Sequence, residues 1–254
     1  MTGQSIKQRL AQGQRQLGFI MLLPSADVAE IIGLSGVDVV MIDHEHGTGG
    51  LQDFVAQSRA LQGSQTLAMV RIPGHDPAYM HRLLDAGARA LVCPGIDTAD
   101  DAEAFVRACR YPPRGVRGAG AGARAARYGA DSVYYGRELE DDLLLVAQIE
   151  SARAVENIDA ICAVPGIDML LIGPRDLSAS IGALNQFDNP ELWRLVDRAA
   201  ERIKASGKHL ACTLRPGKTV AAMFAEGYDL VLSGKDVDFL LGGAKAMVAA
   251  AKAG

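Results

Sequence analysis

Long hydrophobic runs are missing from this chain. No apolar stretch approaches the roughly 18 residues of a membrane span, and the best candidate, Gly18 to Leu23, is also short for a signal-peptide core. A membrane partner is therefore not expected. Cysteine is scarce: Cys93, Cys109, Cys162 and Cys212 form no CxxC pair and fall far below the density of a disulfide scaffold, so reduced thiols in a cytoplasmic protein are expected. An excess of either charge is also missing, with 26 Lys and Arg against 30 Asp and Glu and a net charge of −4, which leaves no basic field for nucleic acid. What the chain does have is 49% hydrophobic and 22% charged residues over 254 positions, enough for a sizeable core. At about 150 residues per domain the length alone leaves open one large domain or two small ones.

Short apolar runs of β type recur along the chain, separated by helical patterns, which is the signature of βα units around a parallel sheet. The candidate strands are Leu17 to Leu22, Asp38 to Asp43, Leu67 to Arg71, Ala90 to Cys93, Leu144 to Glu150, Asp168 to Ile172, His209 to Leu214 and Asp229 to Ser233. Gly36, Gly87, Gly166, Gly207 and Gly227 punctuate the ends of preceding helices. Amphipathic stretches lie between: Leu51 to Leu61, Ala78 to Ala86, Asp100 to Cys109, Ala152 to Cys162 and Glu191 to Ala205. Eight strands in one chain of this length fit a single (β/α)8 barrel over residues 1–254, with a doubly wound open sheet as the alternative that periodicity leaves open.

A barrel demands that functional groups gather at the C-terminal ends of different strands. The second strand ends in Asp43-His44-Glu45-His46-Gly47, the third in Arg71, the fifth in Gln148-Ile149-Glu150, and the sixth runs into Gly173-Pro174-Arg175-Asp176-Leu177-Ser178. Glu150 and Asp176 are the pair of greatest weight, because two carboxylates at adjacent strand ends can hold a hard divalent cation, Mg²⁺ or Mn²⁺ and with less preference Co²⁺ or Zn²⁺, while leaving positions for substrate oxygens. The structural alternative is that Asp176 caps a helix from Leu177 and Glu150 pairs with Arg153. His44 and His46 alternate in direction, so one of them is expected to act as an acid/base at the barrel mouth. Arg71 offers a bidentate fork to a carboxylate, or else a structural salt bridge to Asp43 or Glu45. His75, His81 and His209 read as surface or loop residues. The lysines all fall in expected helices, turns or termini and none inside a strand, which leaves no candidate for a Schiff base.

The connection from Tyr111 to about Asp142 is the one long irregular stretch, and Arg110, Arg114, Arg117, Arg124 and Arg127 precede its first acid, Asp131. Salt bridges to substrate or subunit suit it better than RNA, since only Tyr111 and Tyr128 are there to stack on bases. The Gly118-Ala119-Gly120-Ala121-Gly122 run lacks the strand-turn-helix context of a dinucleotide fingerprint.

Taken together, Ile42-Asp43-x-Glu45-His46, Val70-Arg71-x-Pro73, Arg110-Tyr111-Pro112-Pro113-x-Gly115-x-Arg117-Gly118, Gln148-Ile149-Glu150 and Ile172-Gly173-Pro174-x-Asp176-Leu177-Ser178 resemble the HpcH/HpaI aldolase family, metal-dependent class II pyruvate aldolases. The resemblance implies a (β/α)8 TIM barrel of the phosphoenolpyruvate/pyruvate superfamily in which Glu150 and Asp176 ligate the metal, Arg71 steadies the pyruvyl oxygens and His46 is the acid/base. It further implies that Gln148 lies close to bound pyruvate, that Asp43 and Glu45 organise the loop and its waters, and that Asp85 supports the histidine. Gly173, Pro174 and the segment to Ser178 would wrap the pyruvyl carboxylate, and Leu214 would line the substrate pocket. His44 and the Thr213-Leu214-Arg215-Pro216 segment depart from the family's usual pattern, on the aldehyde side.

The reaction so implied is reversible cleavage of a 4-hydroxy-2-oxo acid into pyruvate, or a close 2-oxo acid, and an aldehyde. The rival activities are a 2-oxo diacid decarboxylase or CoA-thioester lyase on the same scaffold and, further off, a non-enzymatic 2-oxo acid sensor. The apolar terminal helix expected over about Asp236 to Ala253 exposes more apolar surface than a solitary helix should. The resemblance adds a homohexamer, a trimer of dimers with that helix packed on or exchanged with a neighbouring subunit.

Overall fold

The computed structural model describes residues 4–131 and 142–253. Part of the arginine-rich connection, residues 132–141, lies outside them. Eight parallel strands close into a barrel in chain order: β1 (Gln16–Met21), β2 (Val39–Asp43), β3 (Leu67–Arg71), β4 (Ala90–Cys93), β5 (Leu144–Ile149), β6 (Met169–Ile172), β7 (His209–Thr213) and β8 (Leu230–Lys235). The pairing of β1 with β8 rules out the open sheet.

Strand alternation divides the core in two. Ile20, Val39, Met41, Met69, Val92, Leu144, Val146, Met169, Leu171, Leu230 and Leu232 fill the barrel, while Val40, Ile42, Val70, Leu91, Leu145, Ile149, Leu170 and Val231 face the surrounding helices. Gly18 makes room inside, since a Cβ there would lie 2.6 Å from Leu232 Cδ2. The helix Ile6–Ala11 carries Ile6 and Leu10 into the inner cluster and so packs against the barrel interior.

The helices Leu51–Ala60, Pro77–Asp85, Ala99–Cys109 and Pro190–Ala205 follow the amphipathic patterns within a residue. Asp76, Thr98 and Asn189 cap three of them through side-chain oxygens, the preferred chemistry for that position. The expected helix from Ala152 to Cys162 is instead two, Ala152–Glu156 and Ile158–Ala163. Asn157 breaks it, because its amide donates to the Asp97 carbonyl at 2.9 Å. His209 opens β7 where the expected strand begins and stays partly exposed, whereas Lys235 closes β8, so one lysine expected outside every strand belongs to the sheet. All four cysteines are free and buried, and among the described residues no helix is long and apolar enough to cross a membrane.

Candidate active site

Register decides which polar residues meet. Asp43 pairs with Arg71 across β2 and β3, and both continue the inward rows of Val39–Met41 and Leu67–Met69. On β5 the inward row Leu144, Val146 runs on to Gln148 and Glu150. The C-terminal mouth thus receives an aspartate, an arginine, an amide and a glutamate as the polar ends of otherwise apolar rows.

Asp43 is 1% exposed at its side chain, and its carboxylate holds the Arg71 fork at 3.0 Å (Nε to Oδ1) and 2.5 Å (Nη2 to Oδ2). The same Oδ1 accepts the backbone N–H groups of Glu45 and His46 at 3.1 and 3.3 Å, folding the loop back on its own first residue. Burial alone would raise the Asp43 carboxyl, but the Arg71 bonds and charge, with those two amides, hold it below the usual range. Arg71 also reaches Glu45 Oε2 at 3.2 Å. Burial works against the guanidinium charge, and the Asp43 bonds with the Asp43, Glu45 and Glu150 charges outweigh it, so Arg71 is held more firmly protonated. The structural salt bridge expected as the alternative for Arg71 is therefore present, and Nη1 takes no part in it.

Gly47 is dictated by this fold-back. A Cβ there would lie 2.2 Å from the Asp43 carbonyl oxygen and 2.9 Å from that of Leu22. The two histidines diverge as alternation requires. His44 is buried, with Tyr79 OH 2.8 Å from its Nδ1 and its Nε2 without a partner. Burial, opposed by the charges of Asp43 and Asp53, depresses its pKa. His46 is 56% exposed at its side chain, with Nε2 3.9 Å from Glu45 Oε2.

Glu150 does not pair with Arg153. Its Oε1 accepts the Gly95 N–H at 2.6 Å and its Oε2 accepts the Gln148 amide. Burial, with Glu45 and Asp176 close by, pushes its carboxyl up against the pull of those donors. Burial likewise raises Glu45, helped by Asp43 and Asp176 and opposed by Arg71 and His46. Asp176 is not the cap of a helix from Leu177, because the helix spans Pro174–Ser180 with Gly173 before it and Asp176 in its first turn. Gly173 leaves Glu150 its space, since a Cβ would stand 3.3 Å from Oε2.

These residues fit a divalent cation. Glu45, Glu150 and Asp176 lie within electrostatic reach of one another, two of them carry raised pKa values that a cation would reverse, and buried Gln148 Oε1 has no hydrogen-bond donor. Among the described residues no group of three or more His, Cys, Asp or Glu gathers into a metal site, so a cation here would rest on the two carboxylates of Glu150 and Asp176.

Other expected residues sit elsewhere. Asp85 accepts from Arg117 Nη2 at 2.7 Å and lines a cleft of about 720 Å³ on the outside of the barrel, with Arg59, Arg82, Arg124 and Tyr128. Ser178 is fully buried, and its hydroxyl donates to the Arg175 carbonyl and accepts from Asn185 N, so it holds the loop. Leu214 packs with the outer core cluster. On β7 it is Thr213 that shares the inward row of Ala211, a signal readable from alternation in the sequence. Arg215 is drawn off the barrel by Asp197 at 2.8 Å and by the Trp193 ring, 4.3 Å from its guanidinium carbon.

Known proteins resemble this chain in sequence and in fold. The chain is 42% identical over 233 residues to a 4-hydroxy-2-oxovalerate aldolase of Novosphingobium aromaticivorans, covering 91% of this chain and 88% of that one. It is 41% identical to a 2-keto-3-deoxy-L-rhamnonate aldolase of Klebsiella pneumoniae, covering 80% and 76%. A crystal structure of a HpcH/HpaI aldolase/citrate lyase family protein from Burkholderia cenocepacia superposes with a TM-score of 0.91 at 33% identity, over 97% of this chain and 98% of that one. The family model for HpcH/HpaI aldolase/citrate lyase matches residues 16–241, from the first residue of β1 to beyond the end of β8. With barrel and sequence in agreement, the chain belongs to the HpcH/HpaI aldolase/citrate lyase family.

Proposed function

We propose that the protein is a divalent-metal-dependent aldolase that reversibly cleaves a 4-hydroxy-2-oxo acid into pyruvate, or a close 2-oxo acid, and an aldehyde. The observation that carries this is the convergence of the Arg71 clamp with the Glu150 and Asp176 carboxylates at one barrel mouth, in a chain closely similar to named aldolases. Glu150 and Asp176 would hold the cation, Mg²⁺ or Mn²⁺ by donor type and Co²⁺ or Zn²⁺ with less preference, and when bound it would supply a Lewis acid for the 2-oxo acid.

In cleavage the C3–C4 bond breaks, its electron pair passes to C3 and onto the 2-keto oxygen, and Arg71 faces that growing charge with the guanidinium edge that Asp43 leaves free. His46, exposed at the mouth, takes the C4 hydroxyl proton through water and returns it in condensation. Water at the mouth protonates C3 to complete pyruvate, and the proton taken by His46 passes to solvent, so that none is gained or lost overall. Gln148 orients the pyruvyl group, Gly173 and Pro174 with the backbone to Ser178 border its carboxylate, and Asp43 and Glu45 hold the histidine loop. The aldehyde side is bordered by the segment after β7, where Thr213 is better placed than Leu214. The protein works in the cytoplasm as a homohexamer, and Asp85 supports a histidine across a subunit boundary.

Stripping the metal abolishes turnover and Mg²⁺, Mn²⁺ or Co²⁺ restores it, assayed with pyruvate and a panel of aldehydes. New C–C product supports the aldolase, whereas release of CO₂ from a 2-oxo diacid without any aldol product would replace it with the decarboxylase. Borohydride with pyruvate leaves every lysine unmodified, including Lys235 at the end of β8, which stands 3.8 Å from Asp238. A trapped adduct on Lys235 would turn the reading to Schiff-base chemistry.

A further inference from the structure

The loop after β3 reaches the mouth by an indirect route. His75 Nε2 lies 2.7 Å from the Pro94 carbonyl oxygen, and the N–H of the same Pro94–Gly95 peptide donates to Glu150 Oε1 at 2.6 Å. We infer that His75 is a positioning residue for Glu150 that acts through this single peptide group. The inference rests on the reading of Glu150 as a metal-holding carboxylate.

A trans peptide is planar, with its carbonyl and N–H pointing opposite ways, so a donor on one side and an acceptor on the other fix its rotation. A carbonyl only accepts, so Nε2 must carry the ring proton, and the tautomer of His75 follows. A hydrogen bond to the oxygen polarises the amide and strengthens what its N–H offers on the far side. Gly95 adopts φ +63°, the left-handed region that glycine enters freely, and that turn aims the N–H at the carboxylate. The rest of the loop is tied independently. Asp97 takes Ser151 Oγ on its carboxylate and Asn157 Nδ2 on its carbonyl, and Asp101 accepts the N–H groups of Asp97 and Thr98 at 3.2 and 2.9 Å.

Those ties hold residues 97 onward against the start of the next βα unit and leave the Pro94–Gly95 plane to His75. Glu150 thereby has both oxygens held, Oε1 by Gly95 and Oε2 by Gln148, so the lone pairs that remain point in a set direction. His75 is exposed, so it contributes little packing and its replacement tests the hydrogen bond rather than the core.

The experiment is titration calorimetry of Mn²⁺ into the metal-stripped full-length protein, together with thermal melting without metal. Orientation of a metal-holding group by its outer partners commonly changes affinity by about 10- to 100-fold. For a partner acting through a peptide, His75→Phe should weaken Mn²⁺ by about tenfold at an unchanged melting midpoint. His75→Gln, which keeps a donor at the end of a flexible chain, should recover most of that loss. Wild-type affinity in His75→Phe, or equal weakening in His75→Phe and His75→Gln, overturns the inference. Glu150→Gln separates the two levels: if it abolishes Mn²⁺ binding while His75→Phe leaves binding intact, only the positioning role fails. If Glu150→Gln binds Mn²⁺ like wild type, the carboxylate reading fails and the positioning role falls with it.

Discussion

Arg71 answers to two demands at once. Its Nε and Nη2 neutralise Asp43, which is 1% exposed at its side chain and could not stay ionised there alone. Its Nη1 takes no part in that pairing, and the proposed reaction would set its developing charge against this free edge. Arg71→Ala should therefore lose about 2–4 kcal/mol of transition-state stabilisation, read from kcat/KM, as removal of one oxyanion-stabilising donor commonly does. It should also lose fold stability, because a buried carboxylate is stranded, so rates must be measured on protein shown to be folded. Arg71→Lys should restore part of the stability and little of the rate, since an ammonium neutralises Asp43 but cannot span Asp43 and substrate together. A near-wild-type kcat/KM in Arg71→Ala would remove Arg71 from the chemistry and leave it a salt bridge.

Among the elements, the strands are pinned at the end opposite the mouth by a recurring device. Asp38, Asp168 and Asp229 each stand just before β2, β6 and β8, and each carboxylate accepts an N–H of the preceding strand, from Leu17, Leu145 and Leu210 at 2.8, 2.9 and 2.9 Å. Asp229 also takes Arg15 at 2.7 Å and lies 3.3 Å from His209 Nδ1. Burial would raise its carboxyl, but the hydrogen bonds from His209 and Leu210 and the His209 and Arg15 charges hold it below the usual value. A carboxyl depressed in the folded state adds stability that is fully present above its unfolded pKa, near 3.8, and is lost as pH falls through the lower folded value. Asp229→Ala should cost about 1–3 kcal/mol at neutral pH, for an amide left without its acceptor. In urea unfolding the gap between variant and wild type should narrow below about pH 4. A gap that stays constant to the lowest pH at which the wild type folds would mean that the carboxylate charge is not what matters.

For the whole molecule, the terminal helix Asp236–Ala253 carries much of the exposed apolar surface. Its first turn belongs to its own barrel: Asp236 is buried and accepts Leu22 N and Leu23 N, and the Phe239 ring meets Phe19 at 4.8 Å. Beyond it the helix leaves the body, with Leu240, Leu241, Met247 and Val248 exposed by 68, 56, 73 and 54%. So much apolar surface on one helix calls for a neighbour, and closed symmetry is the usual solution for identical chains. Deleting residues 240–254 keeps Asp236 and Phe239 and should dissociate the assembly, with activity falling alongside although no mouth residue is removed. Light scattering that finds the intact, fully active protein monomeric would end the hexamer proposal and the cross-subunit role of Asp85.

Local pattern in the sequence sufficed for whatever depends on periodicity. The β/α alternation and the presence of Asp43, Arg71, Gln148 and Glu150 on inward rows follow from a side-chain period of two and from polar residues closing apolar runs. Leu214 is the residue expected from the sequence, and alternation along β7 instead sets Thr213 on the inward row of Ala211. Tertiary structure decided what depends on closure and on contacts between distant segments. Closure of the barrel needed β1 to meet β8, which no local window contains. Arg71 could be a substrate clamp or a salt bridge until register placed Asp43 beside it, and it proved to hold the salt bridge while keeping an edge free. Glu150 was bound to find donors, and in place of Arg153 it took Gln148 from the inward row of its own strand and Gly95 from the loop after β4, the second fixed only by the approach of that loop. Asn157 broke a helix that its periodicity favoured because a carbonyl from another βα unit competed for its amide. Hydrophobic burial is encoded residue by residue, whereas hydrogen-bond partners are chosen by the geometry that burial creates.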